Sequence, residues 1–172
     1  MPKTATWEDA REQFVVQWGS LGTQWGINRT MAQIHALLMT APEPMSTDEV
    51  MEKLQISRGN AHTNLKDLVG WNLVRILTKK GDRKEYFEAE KDVWTIFITI
   101  AKERRGREID PAVRLLRECA TQTKDAPPGP GQAFHKQMRE LDEFLSFASK
   151  VSDTVIAMKQ TSALQWAMRL LS

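Results

Sequence analysis

Apolar residues along the chain recur mostly at helical spacing. Trp7, Phe14, Trp18, Leu21 and Trp25 are separated by seven, four, three and four positions. That is the stripe of an amphipathic helix, although Gly19, Gly22 and Gly26 weaken its end. Residues 27–40 place Met31, Ile34, Leu37 and Leu38 on one face of a second helix. Ser46-Thr47-Asp48-Glu49 is a capping-box start, with Ser46 accepting from the third helical amide and Glu49 reaching back. A short helix follows, with Val50, Met51 and Leu54 inward. Ser57 then serves as N-cap of a helix whose inner face is Ala61, Leu65, Leu68 and Val69, the i, i+4, i+7, i+8 pattern.

After this helix the period shortens. Residues 73–77 (LVRIL) and 84–88 (KEYFE) are short and rich in β-branched, aromatic or alternating residues, which predicts two strands. KGDR lies between them as a hairpin tip, with Gly81 free to take positive φ. Helical spacing resumes with Trp94, Phe97 and Ile100. It is disturbed at Gly106 and at Asp110-Pro111, where Asp110 is expected to cap a new helix with proline at its first position. APEPMS, residues 41–46, reads as a loop. TKDAPPGPGQ, residues 123–132, carries three prolines and two glycines and reads as a linker that is neither helix nor strand. Further helices are expected over 133–171, with Phe134, Met138, Leu141 and Leu145 on one stripe and Val155, Met158 and Leu164 beyond.

The order is helix, helix, short helix, polar-faced helix, hairpin, long helix, C-terminal helices. The fold class is mainly α with a small β-hairpin wing, a winged helix-turn-helix domain with added dimerisation helices. The expected division is 1–26 as an N-terminal dimerisation helix, 27–91 as the winged domain, and 92–172 as a helical dimerisation region. In such a domain the second helix of the pair enters the major groove of double-stranded DNA. Its outer face here offers Ser57, Arg58, Gly59, Asn60, His62, Thr63, Asn64 and Lys66. Arg58 has the geometry to reach guanine, Asn60 and Asn64 to read adenine or a phosphate, and Ser57 and Thr63 to bind a backbone oxygen. Gly59 lets the helix N-terminus approach a phosphate, where free amides favour an anion. Lys79, Lys80 and Arg83 on the wing are expected to contact phosphates, whereas Arg75 and Lys84 are expected to be strand-edge charges or distal backbone contacts rather than readers of sequence.

Charge sharpens this picture only when taken locally. The whole chain of 172 residues carries a formal +2. Residues 57–84 alone hold seven basic residues against two acidic ones, an excess of +5, so the remainder is slightly acidic. A 41% hydrophobic and 27% charged composition is that of an ordinary soluble protein, and the length is that of one domain or of one domain with appended helices. No apolar run approaches the ~20 residues of a membrane span, and the opening MPKTATWEDAREQF has no apolar secretory core. Cytoplasmic, nucleoid-associated placement is the expectation. The single cysteine, Cys119, excludes an internal disulfide and fits a reducing compartment.

ISRGNAHTNLKDLVGWNLV, then KGDRKEYFEAEKDVW, then REIDPAVRLLREC resemble the GbsR/MarR family of winged-helix transcriptional regulators, as does the leading WGSLGTQWGINRTMAQIHALL. The resemblance covers roughly residues 14 to 122, and beyond it the chain shares only helical character. It implies a homodimer on a pseudo-palindromic operator, repression in most members, and in some a small effector such as a quaternary-ammonium osmolyte. His62-Thr63 departs from the small hydroxyl and apolar residue associated with the family there, which concerns the sequence read rather than the mode of reading.

Chemistry of other kinds finds little support. His35, His62 and His135 lie on separate predicted helices without ligand spacing, so no metal and no cofactor is expected. There is no phosphate loop and no nucleophile elbow, and Cys119 sits on an apolar stretch, so no catalytic residue is assigned and the protein is expected not to be an enzyme. Six tryptophans raise the alternative of an aromatic cage. A small cationic effector would then bind among Trp18, Trp25, Trp94 and Phe97, the interrupted segment at Gly106 and Asp110-Pro111 transmitting the change. Against it, Trp7, Trp18, Trp25, Trp71, Trp94 and Trp166 are accounted for as core and dimer packing. The competing reading of the whole chain is a winged-helix protein–protein module whose basic face is incidental; a tip reading KKGDRK argues against it.

Overall fold

The computed structural model describes residues 6–158. The chain divides into two compact units, one running up to Thr99 and the other from Ile100. The first contains helix α1 (Trp7–Gln24), α2 (Arg29–Met39), strand β1 (Met45–Ser46), α3 (Thr47–Leu54), α4 (Arg58–Gly70), β2 (Val74–Thr78) and β3 (Glu85–Ala89). Helix α5 (Val93–Arg104) contains the boundary. A π turn (Arg105–Ile109), α6 (Asp110–Gln122) and α7 (Pro130–Met158) follow.

Helix α2 is the centre of the first unit. Met31, Ala32, Ile34, His35, Ala36, Leu37 and Leu38 are all buried, so the helix is wrapped rather than half-covered. It packs against α1, α3, α4 and β3. Helix α4 brings Ala61, Leu65 and Leu68, all buried, and β3 brings Phe87. The α2 C-terminus is closed from α1: Arg11 donates through Nε to the Thr40 hydroxyl at 3.0 Å and through its terminal nitrogen to the Leu37 carbonyl at 3.0 Å. A guanidinium at a helix C-terminus satisfies orphan carbonyls and opposes the negative end of the dipole.

The α1–α2 contact revises the reading of the α1 glycines. The buried positions of α1 are Val15, Gly19 and Gly22, not the aromatic stripe. A Cβ on Gly22 would lie 2.6 Å from the Ala32 Cβ, and one on Gly19 would lie 2.4 Å from the Gln33 Cγ. The glycines therefore allow close helix approach, which offsets their helix-propensity cost. Trp7, Leu21 and Trp25 are left exposed on this chain, while Phe14 and Trp18 are half-buried.

The sheet is antiparallel in the order β1-β3-β2. Part of the expected APEPMS loop is strand, because Met45 pairs with Phe87 and Ser46 with Tyr86. Two buried residues are too few to show a period in sequence. The β2–β3 register runs from Val74 opposite Ala89 to Thr78 opposite Glu85, one residue beyond the expected strands.

In the second unit α6 and α7 form an antiparallel hairpin. Arg117 donates to Asp142 at 3.1 Å and to the Ser146 hydroxyl at 3.1 Å, His135 Nδ1 lies 2.9 Å from the Ala120 carbonyl, and Arg105 pairs with Asp153. Burial raises the Asp142 carboxyl, but hydrogen bonds from Arg117 and Ser146 outweigh it and the net shift is downward. The expected cap at Asp110 is not formed. Asp110 is itself helical at φ −61° and ψ −38°, and its N–H reaches back five residues to the Arg105 carbonyl. In an α-helix the Pro111 ring would press on the carbonyl four residues earlier, and a π turn widens the helix where that strain falls. The proline-rich loop is also shorter than expected. Helix α7 begins at Pro130, and proline is tolerated in a first turn, where its missing N–H has no partner to lose. Phe134, Leu141, Phe144, Phe147 and Val151 are exposed on α7, as is Leu115 on α6. Leu164 and Trp166 lie outside the described residues, as do the side chains of Val155 and Met158.

Two expectations about stability follow from this core. Gly22→Ala should destabilise in urea titration, because overpacking of roughly 1–3 kcal/mol exceeds the ~1 kcal/mol that alanine gains in a helix; unchanged or higher stability would show that α1 does not seat on Ala32. His35 is buried, its Nε2 has no partner, and burial lowers its pKa from 6.5 to about 4. The unfolded chain thus takes up this proton first as pH falls. Stability should decline between pH 6.5 and about 4 by up to ~3 kcal/mol, and His35→Leu should flatten that window in chemical denaturation.

Candidate nucleic-acid interface

Helices α3 and α4 form the helix-turn-helix. Ser46 and Glu49 make the full capping box: the Ser46 hydroxyl accepts from the Glu49 amide at 3.4 Å and the Glu49 carboxylate accepts from the Ser46 amide at 2.7 Å. The Ser46 contacts, hydroxyl first, hold the Glu49 carboxyl below its ordinary range. The turn is made by Gln55 in the left-handed region at φ +53°. Ser57 then caps α4, accepting from the Asn60 amide at 3.3 Å. This fixes the angle at which α4 presents its outer face.

Ser57, Arg58, Gly59, Asn60, His62, Thr63 and Lys66 are all exposed. A Cβ on Gly59 would meet nothing within 4 Å, so the space in front of the first turn is open. Asn64 departs from the expected face. It is 5% exposed and turned into the helix bundle. Its Nδ2 donates to the Asn60 carbonyl at 2.8 Å and to the Asn60 Oδ1 at 2.7 Å. On the helical wheel position 64 lies at the edge of the inner face, next to Leu68, and its amide is satisfied by the preceding turn.

The hairpin tip is ordered by local contacts. Gly81 takes φ +85° and the Asp82 amide donates to the Lys79 carbonyl at 3.1 Å. Asp82 accepts from the Lys84 amide at 2.9 Å and from the Tyr86 hydroxyl at 2.7 Å. Those two bonds, the backbone one first, lower the Asp82 pKa, and the same contact raises that of Tyr86. Lys79 lies over the Tyr86 ring, Nζ 4.0 Å from the centroid. Lys80 and Arg83 are exposed. Arg75 donates to Glu88 at 2.7 Å across the strand pair, as an edge charge would.

Asp48 joins the two halves of this surface. It accepts from Arg58 at 2.5 Å at the start of α4 and lies 3.3 Å from the Lys84 Nζ on the wing. The contact with Lys84, and then that with Arg58, holds its carboxyl below the ordinary range. An open hollow of about 350 Å³ is lined there by Arg58, Arg83 and Lys84 together with Asp48 and Glu85. Sequence reasoning took Asp48 only as part of a helix start. Its role depends on α3, α4 and β3 meeting, which no local spacing encodes.

The four expected effector residues fall into two edge-to-face pairs. Trp18 on α1 and Trp25 at its C-cap have centroids 6.1 Å apart, and Trp94 and Phe97 on α5 are 6.4 Å apart. Among the described residues no group of three or more His, Cys, Asp or Glu side chains could hold a metal ion, and no helix is long and apolar enough to cross a membrane.

Comparison with known proteins gives the same fold. A crystal structure of a transcriptional regulator superposes with a TM-score of 0.70 over 88% of this chain and 98% of its own, at 24% identity. The HTH-type transcriptional repressor GbsR of Bacillus subtilis (strain 168) is 29% identical over 118 residues, 69% of this chain. The chain has a winged-helix fold and is similar in sequence to the GbsR type of transcriptional regulator. The aligned stretch spans 65% of GbsR. YvaV of the same strain is 20% identical over 150 residues, covering 84% of this chain and 85% of YvaV. No protein-family profile matches the chain. In this winged-helix fold α4 is the second helix of the helix-turn-helix and the β2–β3 hairpin is the wing.

Proposed function

We propose that the protein is a sequence-specific DNA-binding transcriptional regulator, a repressor that sits on a pseudo-palindromic operator as a homodimer in the cytoplasm. The observation that carries this reading is the shared surface of α4 and the wing. Arg58, Asn60, His62, Thr63 and Lys66 are exposed along one helix, and Lys79, Lys80, Arg83 and Lys84 stand on the adjoining hairpin. Side chains on the helix suit base edges, and the flexible cations of the tip suit phosphates. The name of GbsR, a repressor, supports the sign of regulation. A protein–protein module would have no use for an open, glycine-led helix start beside so many cations.

Asp48 gives the surface a gate. Holding Arg58 and Lys84 by a carboxylate reduces the free positive charge that non-specific DNA would meet, and a matching base must compete for Arg58. Dimerisation is supported by two sets of exposed apolar residues, Trp7, Leu21 and Trp25 on α1 and its C-cap and Phe134, Leu141, Phe144, Phe147 and Val151 on α7. We assign the α1 rings to the subunit interface in preference to a cationic effector. The protein is proposed to act by binding alone, without catalysis or cofactor.

Binding to fluorescent duplexes over a salt series tests the division of labour. Lys80→Ala and Arg83→Ala should weaken all sequences alike, each flattening the log–log salt slope by about one unit. Arg58→Ala should cost roughly 1–3 kcal/mol on the preferred site and relax preference at particular base pairs. Asp48→Asn should strengthen non-specific binding and steepen its salt dependence. Wing variants that change base preference while Arg58→Ala does not would reverse the assignment. Sedimentation should give a dimer at micromolar concentration, and a stable monomer would remove the palindromic arrangement.

A further inference from the structure

We propose that the hollow between α3, α4 and the wing seats one phosphate of the DNA backbone on Arg83 and Lys84, and that the arriving phosphate displaces Asp48 and frees Arg58 for a base. The inference rests on the DNA-reading proposal and adds to it a coupling between a backbone contact and a base contact.

The lining of the hollow suits an oxyanion. Arg58 at the start of α4 and Arg83 and Lys84 on the wing face it, against the carboxylates of Asp48 and Glu85. Its volume is about 350 Å³, and at roughly 30 Å³ per water it has room for a phosphate group with waters beside it. In the free protein a carboxylate already does there what two phosphate oxygens would do. One Asp48 oxygen meets Arg58 at 2.5 Å and the other lies 3.3 Å from the Lys84 Nζ. These contacts, that with Lys84 first, favour the ionised carboxyl. Arg83 lines the same hollow without an ion-pair partner among the described residues.

Exchanging the carboxylate for a phosphate costs little stability. Asp48, Arg58 and Lys84 are all exposed, and ion pairs between exposed groups contribute little. Three cations less two carboxylates leave +1 on the lining, and with Asp48 turned out it carries +2, against the single negative charge of a backbone phosphate. A phosphate held by Arg83 and Lys84 takes one partner from Asp48 and sets a like charge beside it. Arg58, the other partner, is thereby released at the first turn of the helix proposed to enter the groove. The occupant is a backbone phosphate because the hollow adjoins the exposed face of α4, and a helix lying in the major groove has a sugar–phosphate strand alongside it.

The test scans the duplex selected by the full chain with single methylphosphonate linkages, each of which removes one backbone charge. The base pair whose preference is lost in Arg58→Ala marks the Arg58 position. For wild type, neutralising one linkage in each half-site should lower affinity roughly tenfold and also weaken preference at that base pair. In Lys84→Ala the same linkage should cost less than about threefold. In Asp48→Asn, preference at the Arg58 base pair should no longer depend on that linkage, which a merely structural role would not produce. The wild-type scan stands without either variant if one fails to fold. A selective wild type in which no linkage affects the Arg58 base pair would overturn the inference, as would a Lys84→Ala variant that loses as much as wild type at every linkage. So would inorganic phosphate that, at matched ionic strength, competes with the duplex for wild type but not for Lys84→Ala, since the seat would then belong to a free anion. No sequence-selective enrichment by wild type would instead overturn the DNA-reading proposal, and this inference with it.

Discussion

Everything in the first unit depends on burying α2 from all sides. A helix with Met31, Ile34, Leu37 and Leu38 on one face and Ala32, His35 and Ala36 beside them leaves little surface suited to water beyond Arg29, Thr30 and Gln33. It must be enclosed by α1, α3, α4 and β3 at once. That requirement sets where α4 lies. Ala61, Leu65 and Leu68 are taken inward, and the polar remainder of α4 is forced to face out. The wing is positioned by the same enclosure, because Phe87 is drawn under the sheet while the tip extends beyond it. Surface chemistry is thus a by-product of core geometry.

On that frame, electrostatics decides how the exposed residues behave. An isolated exposed ion pair contributes little to stability. Asp48 matters for a different reason, since it holds cations from two separate elements at 2.5 and 3.3 Å. Lys79 is held over Tyr86 and Tyr86 bonds to Asp82, so the tip is ordered by its own side chains. Lys80 and Arg83 stand exposed on the same tip. The proposed reading assigns the held residues to base edges and the exposed tip cations to phosphates, which would suit selectivity and rapid encounter together.

The helical elements were legible in sequence because amphipathic spacing and caps act over a few residues. The capping box at Ser46, the N-cap at Ser57 and the hairpin tip at Gly81 form as their local chemistry predicts. What escaped reading depends on tertiary contact. The α1 glycines read as helix weakness until Ala32 and Gln33 are placed against them. Strand β1 has only Met45 and Ser46, and pairing with β3 alone makes it a strand. Asn64 is polar and falls at the edge between two faces, so only the packed helix shows that it turns inward. Asp110-Pro111 has the composition of a helix start, yet the chain arrives already helical and absorbs the proline in a π turn. Of the site, the residue types on α4 and the tip were visible, and the links among Asp48, Arg58 and Lys84 were not.

The central claim is that α4 and the wing tip together form the face that meets DNA. Amide hydrogen exchange of the full chain, with and without a saturating duplex obtained by selection, tests it most directly. The account predicts slowed exchange over residues 57–66 and 79–84 when the duplex binds, with the buried amides of α2 unchanged. Slowed exchange confined to other segments, with these two stretches unaffected, would contradict it.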